Sequence, residues 1–376
     1  MKIAQLSTFY PYRGGIAQFN ASLKKSLLQN HTVEAFNFKR QYPNFLFPGK
    51  TQLVKESINT EITAMPVLDS INPFTYFTTV KSINQLNPDL LLMKYWMSFF
   101  APSLGTVARH TKKKCTVISI LDNLIPHEKR FFDNALNKYF INQNDGFVVM
   151  SKKVKHDLLE STKGKAKLIE LPHPLYNHFG EPVKKKDALK TIGIRNENKN
   201  LLFFGFIRKY KGLDLLLQAF EKLDDSYNLI IAGECYGGFE AYQKIINKSR
   251  KKDQIFLFNK YISDAEVPNF MCAADACILP YKSATQSGIE SIAYHFNTPI
   301  VATDVGGLKE NIKHLKTGYI IPEANADSIA YGIKDFFKFY NAEKIQRELN
   351  ILKKERSWDN FGQKIIDFAN SLKSDA

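Results

Sequence analysis

The sequence predicts an α/β chain in two halves, each a parallel sheet flanked by helices. Three observations carry this. Runs such as Leu90-Leu91-Leu92-Met93, Thr116–Leu121 and Leu229–Ala232 are apolar at nearly every position, as strands buried on both faces are. Such runs alternate with loops and stretches of helical spacing, the pattern that builds a parallel sheet through crossover helices. Between about Leu171 and Asn200 the alternation stops, and prolines, Lys184–Lys186 and Asn196-Glu197-Asn198-Lys199 mark a domain boundary.

In the first half, Ile3 to Thr8 reads as a strand, Phe9 to Gly15 as its loop, and Ile16 to about Gln29 as a helix. A strand, a glycine loop and a helix N-terminus can cradle a phosphate or admit a sugar closely, because glycine lacks a Cβ and a helix start offers free N–H groups. The loop is not G-x-G-x-x-G, so the dinucleotide fingerprint is absent. Val33–Phe38 is a second strand. Residues 40–60 read as an irregular loop with Tyr42, Phe45, Phe47 and Pro48 beside Lys39, Arg40 and Lys50, suited either to a membrane interface or to packing on its own domain. Leu90–Met93, Thr116–Leu121 and Gly146–Met150 are strands whose carboxyl ends deliver Lys94, Asp122 and Ser151, and such ends build clefts. Asp122 reads as a cleft carboxylate or a helix N-cap, and His127 as a cleft imidazole or a satisfied structural histidine.

The second half opens with the strand Leu201–Gly205, the loop Phe206 to Gly212 and the helix Leu213–Phe220. Arg208 and Lys211 place two cations after a strand end beside Gly212. They suit a diphosphate leaving group, whose charge grows as a bond to phosphate oxygen breaks. Leu229–Glu234 and Ile255–Phe258 are further strands. The stretch 274–310 then gives a strand at Ala276–Pro280, a small polar loop Ser283–Gly288, a helix to about Phe296, and a strand at Pro299–Thr303. A Gly306-Gly307 turn precedes the next helix. The loops 282–288 and 304–308 fall at the carboxyl edge of the sheet, where open α/β sheets bind ligands. Ser287 and Gly288 open a helix, so their N–H groups and the helix dipole face an anion. Glu290 lies inside that helix, facing either a ribose or solvent. Gly306-Gly307 alone reads as a tight turn. Gly318–Pro322 and a helical tail complete the chain.

At 376 residues, 44% of them hydrophobic and 24% charged, the chain suits a globular protein of two domains. No apolar run reaches the ~18 residues that span a bilayer, and the N-terminus lacks a signal-peptide pattern, which predicts a cytoplasmic protein. Cys115, Cys235, Cys272 and Cys277 have no zinc spacing and predict reduced thiols. The net charge of +15 fits nucleic acid, an anionic membrane face or phosphate-bearing substrates. No nucleic-acid-binding module accompanies it, so nucleic acid is not an expected partner.

The blocks FFGFIRKYKGLDLLLQAF, LIIAGE, DACILPYKSATQSG, TPIVATDVGGLKENI and TGYIIP, with PYRGGIAQFN in the first half, resemble GT-B glycosyltransferases of the large retaining group that uses nucleotide-sugar donors. The resemblance covers nearly the whole chain. It implies two Rossmann-like domains with parallel sheets facing across a cleft: 1–178 on the acceptor side, 179–358 on the donor side, and a C-terminal helix in 359–376 crossing back to the first domain. It implies that Lys211 binds donor phosphate and that Gly14 and Gly15 close over the donor. The family arginine usually sits where Phe206 stands, so Arg208 supplies that charge from two residues on. Gly205, Tyr261, Thr285, Gln286, Ser287, Gly288 and Glu290 complete the implied donor contacts. Asp122 and His127 fall in the implied catalytic region, with Arg208 and Lys211. The family's E-x7-E signature is not intact. Counting back from Glu290 reaches Lys282, and the register anchored on Pro299 places Ala284 and Ile292 at the two glutamate positions.

The implied function is transfer of a hexose-type sugar, with retention, from a UDP- or GDP-linked donor to a glycan or lipid-linked acceptor in surface polysaccharide synthesis. The acceptor attacks from the donor's front face, a route needing neither cofactor nor metal, and peripheral contact with an anionic membrane goes with it. Two other readings stay open: a non-catalytic nucleotide-sugar-binding protein with a degenerate site, and a nucleotide-sugar epimerase of the same fold.

Overall fold

In the first unit, Met1–His173 together with Arg356–Ala376, seven strands form one parallel sheet. They are β1 (Lys2–Leu6), β2 (Thr32–Arg40), β3 (Met65–Asp69), β4 (Leu90–Tyr95), β5 (Thr116–Leu121), β6 (Gly146–Val149) and β7 (Leu168–Glu170). The computed structural model describes the chain except residues 13–14, 44–51, 54–62, 125–130, 177–178, 196, 236–237, 285–286 and 375–376. The strand order is β3-β2-β1-β4-β5-β6-β7. The chain lays strands to one side of β1 and then returns to its other side with β4. The carboxyl ends of β1 and β4 therefore flank the topological switch point, where ligands of open α/β sheets bind.

The strands alternate between two buried layers, as the period of two requires. Leu91, Met93, Val117 and Leu121 face one hydrophobic cluster, while Leu90, Leu92, Ile118 and Ile120 face the other. The second layer includes the helix Gly15–Leu27, through Phe19, Leu23 and Leu27, and the C-terminal helix Trp358–Ser374, through Trp358, Phe361, Ile365, Ile366, Ala369 and Leu372. Two edge strands and several helices, Pro73–Leu86 among them, lie beyond the sequence reading. β3 contains Pro66 and pairs with β2 alone, so it shows neither a clean apolar run nor an alternation. The helix Pro73–Leu86 after it carries its own start and stop signals. Asn72 caps it by accepting from the Phe74 N–H at 3.1 Å, and Asn87 ends it at φ 50.

The second unit, Pro174–Glu355, holds a six-stranded parallel sheet. Its strands are β8 (Lys199–Phe204), β9 (Tyr227–Ala232), β10 (Ile255–Phe258), β11 (Ala276–Leu279), β12 (Ile300–Thr303) and β13 (Gly318–Ile321), in the order β10-β9-β8-β11-β12-β13. The switch point here lies between β8 and β11. The helix Leu213–Phe220 buries Leu213, Leu216, Leu217 and Phe220, one face at helical spacing. Among the described residues no helix is long and apolar enough to cross a membrane.

Candidate active site

Lys211 sits at the switch point of the second sheet. After β8 the chain passes through Gly205, at φ 88, and exposed Phe206, then makes a short 3-10 turn over Lys209–Lys211. That turn leaves Arg208, Lys209 and Tyr210 exposed and carries Lys211 inward to 9% exposure. Its ammonium lies 5.7 Å from the centroid of the buried Tyr281 ring, after β11. A Cβ on Gly205 would stand 2.9 Å from Ile289 Cδ1 and 3.5 Å from Lys211 Nζ, so the bare backbone lets these groups close up.

Lys211 forms no ion pair among the described residues. Burial pulls its pKa down to about 8; a charged Cys277 would oppose this, and Arg208 reinforces it. Burial pushes the Cys277 thiol up to about 12, so near neutral pH it is uncharged and gives the ammonium no counterion. A buried ammonium without an anion is costly, and a bound anion relieves that cost.

The loop after β11 is anchored on both sides. The Lys282 N–H donates to the Tyr210 carbonyl at 2.7 Å, and its ammonium pairs with Asp214 at 2.6 Å. Thr303 Oγ1 donates to the Tyr281 carbonyl at 2.6 Å. The Tyr281 and Ser287 hydroxyls share a hydrogen bond of 3.2 Å. Ser287 precedes the helix Gly288–His295 and makes no side-chain cap bond to it. Glu290 is 3% exposed, so the reading in which it faces solvent is set aside. Lys282, which takes the first glutamate's place in the register counted from Glu290, ties this loop to the helix Leu213–Phe220.

At the switch point of the first sheet, the Lys94 ammonium is buried at the end of β4. It pairs with Asp122 Oδ1 at 2.6 Å and lies 3.3 Å from the centroid of the Phe19 ring. Burial pushes its pKa down, against the pull of Asp122. Asp122 is thus held by a lysine, and among the described residues it caps no helix. Ser151, the third of these strand ends, is an N-cap that accepts from the Val154 N–H at 3.3 Å. Two buried asparagines fix the loop after β1. Asn20 Nδ2 donates to Ser7 Oγ and to the Thr8 carbonyl at 2.8 and 2.9 Å, and Asn37 Oδ1 accepts from the Phe9 N–H at 3.0 Å.

Of the expected site residues, Gly205, Lys211, Ser287 and Gly288 come together around Tyr281 and Ile289, and Glu290 is buried in the same helix. Gly15 opens its helix, and a Cβ there would meet nothing within 4 Å. Tyr261 is 62% exposed in the loop after β10, which β9 separates from β8. Gly14, His127, Thr285 and Gln286 lie outside the described residues. Sequence reasoning missed Tyr281 and the pairing of Lys94 with Asp122 and the Phe19 ring. The signal for Tyr281 was its place directly after a buried strand and Pro280.

Residues 184–362 match the family described as Glycosyl transferases group 1. An uncharacterised glycosyltransferase of Methanocaldococcus jannaschii is 25% identical over 366 residues, 95% of this chain and 93% of the relative. The family match takes in just under half of the chain, and by it the chain is similar to the group 1 glycosyltransferases. A second uncharacterised glycosyltransferase of that organism is 27% identical over 193 residues, and the chain spans about half of its length, 48%. Among solved structures, an Anabaena protein in complex with UDP matches with a TM-score of 0.66 and 15% identity, over 99% of this chain and 100% of that one. The two parallel-sheet units of this chain are the Rossmann-like units of the GT-B fold.

Proposed function

We propose that this protein is a glycosyltransferase that moves a hexose-type sugar, with retention, from a UDP- or GDP-linked donor to a glycan or lipid-linked acceptor of a surface polysaccharide. Lys211 carries the proposal, as a buried ammonium at a switch point with no ion-pair partner among the described residues. A nucleoside diphosphate supplies the anion it lacks, and the UDP bound to the Anabaena neighbour supports that ligand class. Ser287 and Gly288, at the start of an uncapped helix, add N–H groups and a favourable dipole toward the same anion.

In this reading the bond from the sugar C1 to the β-phosphate oxygen breaks, and the acceptor oxygen bonds to C1 on the same face. The acceptor's hydroxyl proton passes to the departing phosphate oxygen. Lys211 and Arg208 stabilise the charge that grows on the diphosphate, and the step assigns no role to a metal. In the first unit, Lys94 orients Asp122 toward a sugar hydroxyl. The protein works in the cytoplasm beside an anionic membrane.

Calorimetry with UDP and GDP on wild type and Lys211→Ala tests the assignment. Loss of one charge-assisted hydrogen bond is expected to weaken binding by about 1.5–3 kcal/mol. Equal affinity of both proteins for every nucleotide that binds would sink it. A second reading, a nucleotide-sugar-binding protein without transfer, is favoured by one observation: Lys282 and Ala284 occupy the alternative positions of the signature's first carboxylate. Release of free UDP or GDP from the sugar donor separates the two, since a binding protein releases none.

A further inference from the structure

At the amino ends of β5, β6 and β7 the first unit holds a cavity of about 860 Å³. Asp122 follows the opposite, carboxyl end of β5, so this cavity is separate from the strand-end site. Six lysines line it: Lys112, Lys138, Lys163, Lys165, Lys167 and Lys373. Asp145 is the single carboxylate among the described residues of its wall. Lys112 engages that carboxylate at 3.0 Å, and Lys373 lies 3.7 Å from Asp89. Lys138, Lys163 and Lys165 are exposed and form no ion pair among the described residues. The floor is apolar, from the buried Ile141, Phe147 and Leu372.

Helix-dipole complementarity accounts for Lys138 and Lys163 one at a time, since each lies at a helix C-terminus. It does not account for six lysines from several separate segments lining one concavity. Lys163 adopts φ 51 and Gly164 φ 75, a left-handed turn that ends the helix Lys152–Thr162 and sets Lys163 and Lys165 on the cavity's rim. Mutual repulsion opposes that convergence, and a concave wall over an apolar floor concentrates the resulting positive field.

We propose that this cavity binds a small ligand carrying two or more phosphate-type groups, free in solution or as the headgroup of an anionic lipid. The proposal stands apart from the donor reading, because no residue of the second unit lines the cavity.

Two probes test it. Inorganic tripolyphosphate is titrated by calorimetry, and neutral vesicles with and without phosphatidic acid are co-sedimented at low and moderate salt. The variant carries Lys138→Ala, Lys163→Ala and Lys165→Ala. A control with the same loss of charge carries Lys153→Ala, Lys244→Ala and Lys316→Ala, all exposed and outside the cavity. The cavity variant is expected to lose at least about tenfold in affinity for the probe that binds, and the control less than about threefold, since one lost charge-assisted hydrogen bond is worth roughly a decade. Binding of tripolyphosphate indicates a free ligand, and binding of acidic vesicles alone indicates a lipid headgroup; either supports the site. Absence of wild-type binding to both probes overturns it, and so does an equal loss in the control, which would make the effect one of net charge. Lys165→Glu, a single exposed change outside any helix, gives the same decision if the triple variant fails to fold.

Discussion

Lys211 ties the site's chemistry to pH. Its pKa in the folded protein is lowered to about 8 by burial, while an unfolded lysine keeps its ordinary value near 10.5. The unfolded chain therefore holds more protons between these values. The cost of the buried ammonium is fully present below about pH 8, and stability rises as pH climbs through that window. A bound diphosphate raises the lysine's pKa again, so binding takes up a proton above about pH 8. UDP affinity is expected to be level below about pH 8 and to fall above it. Lys211→Met should lose this inflection and should melt higher than wild type at neutral pH, by the equivalent of roughly 1–3 kcal/mol, because the buried charge is gone. Calorimetry across the pH range and thermal melts check both. An inflection that survives in Lys211→Met would assign the titration to another group.

The loops at the second switch point make their own case at the level of elements. The Gly306-Gly307 pair, read from sequence as a tight turn, has a sharper reason to be there. Gly306 adopts φ 55, and a Cβ on it would fall 1.6 Å from the Ala284 carbonyl oxygen. The loops 304–308 and 282–288 are thus in backbone contact, and Gly306→Ala must move one of them. Gly288 differs: its Cβ would meet Tyr176 at 3.7 Å, an ordinary contact, with no strained φ. Gly306→Ala is expected to destabilise the protein by about 1–3 kcal/mol and to weaken nucleotide binding. Gly288→Ala should leave the melting temperature nearly unchanged. Equal melting shifts for the two would refute this division of roles. The same loops show what the sequence could convey. Strands buried on both faces, such as β4, β5 and β11, were readable as apolar runs, and the place of Lys211 after a strand end was readable from the run that precedes it. β3 and β7 were not, because edge strands are short and half-exposed. Strand order, which places Lys94 beside Asp122 and Lys211 beside Tyr281, depends on long-range pairing that no local pattern encodes.

On the scale of the whole molecule, the last segment of the chain completes the first unit. The helix Trp358–Ser374 packs on the helix Gly15–Leu27, and Asp359 accepts hydrogen bonds from Ser26 at 2.7 Å and Gln29 at 3.2 Å. Trp358, Phe361, Ile365, Ile366 and Leu372 cover Phe19, Leu27, Ile118, Ile120 and Val148 on one face of the sheet. At about 1.5–3 kcal/mol for each large apolar side chain buried, those five contribute roughly 8–15 kcal/mol. That equals the whole net stability of an ordinary domain, about 5–15 kcal/mol. A chain ending at Glu355 should therefore fail to fold its first unit, although its sheet residues are all present. The second unit, Pro174–Glu355, keeps its entire hydrophobic cluster and should fold in the truncated chain. Hydrogen exchange read strand by strand separates the outcomes. Amides of β4, β5 and β6 should exchange freely in the truncated protein, while those of β8, β9 and β11 stay protected. A synthetic peptide of residues 356–376, added in excess, should restore protection to the first group alone. Retained protection of β4 to β6 in the truncated chain without the peptide would show that the helix only covers a sheet that is already stable.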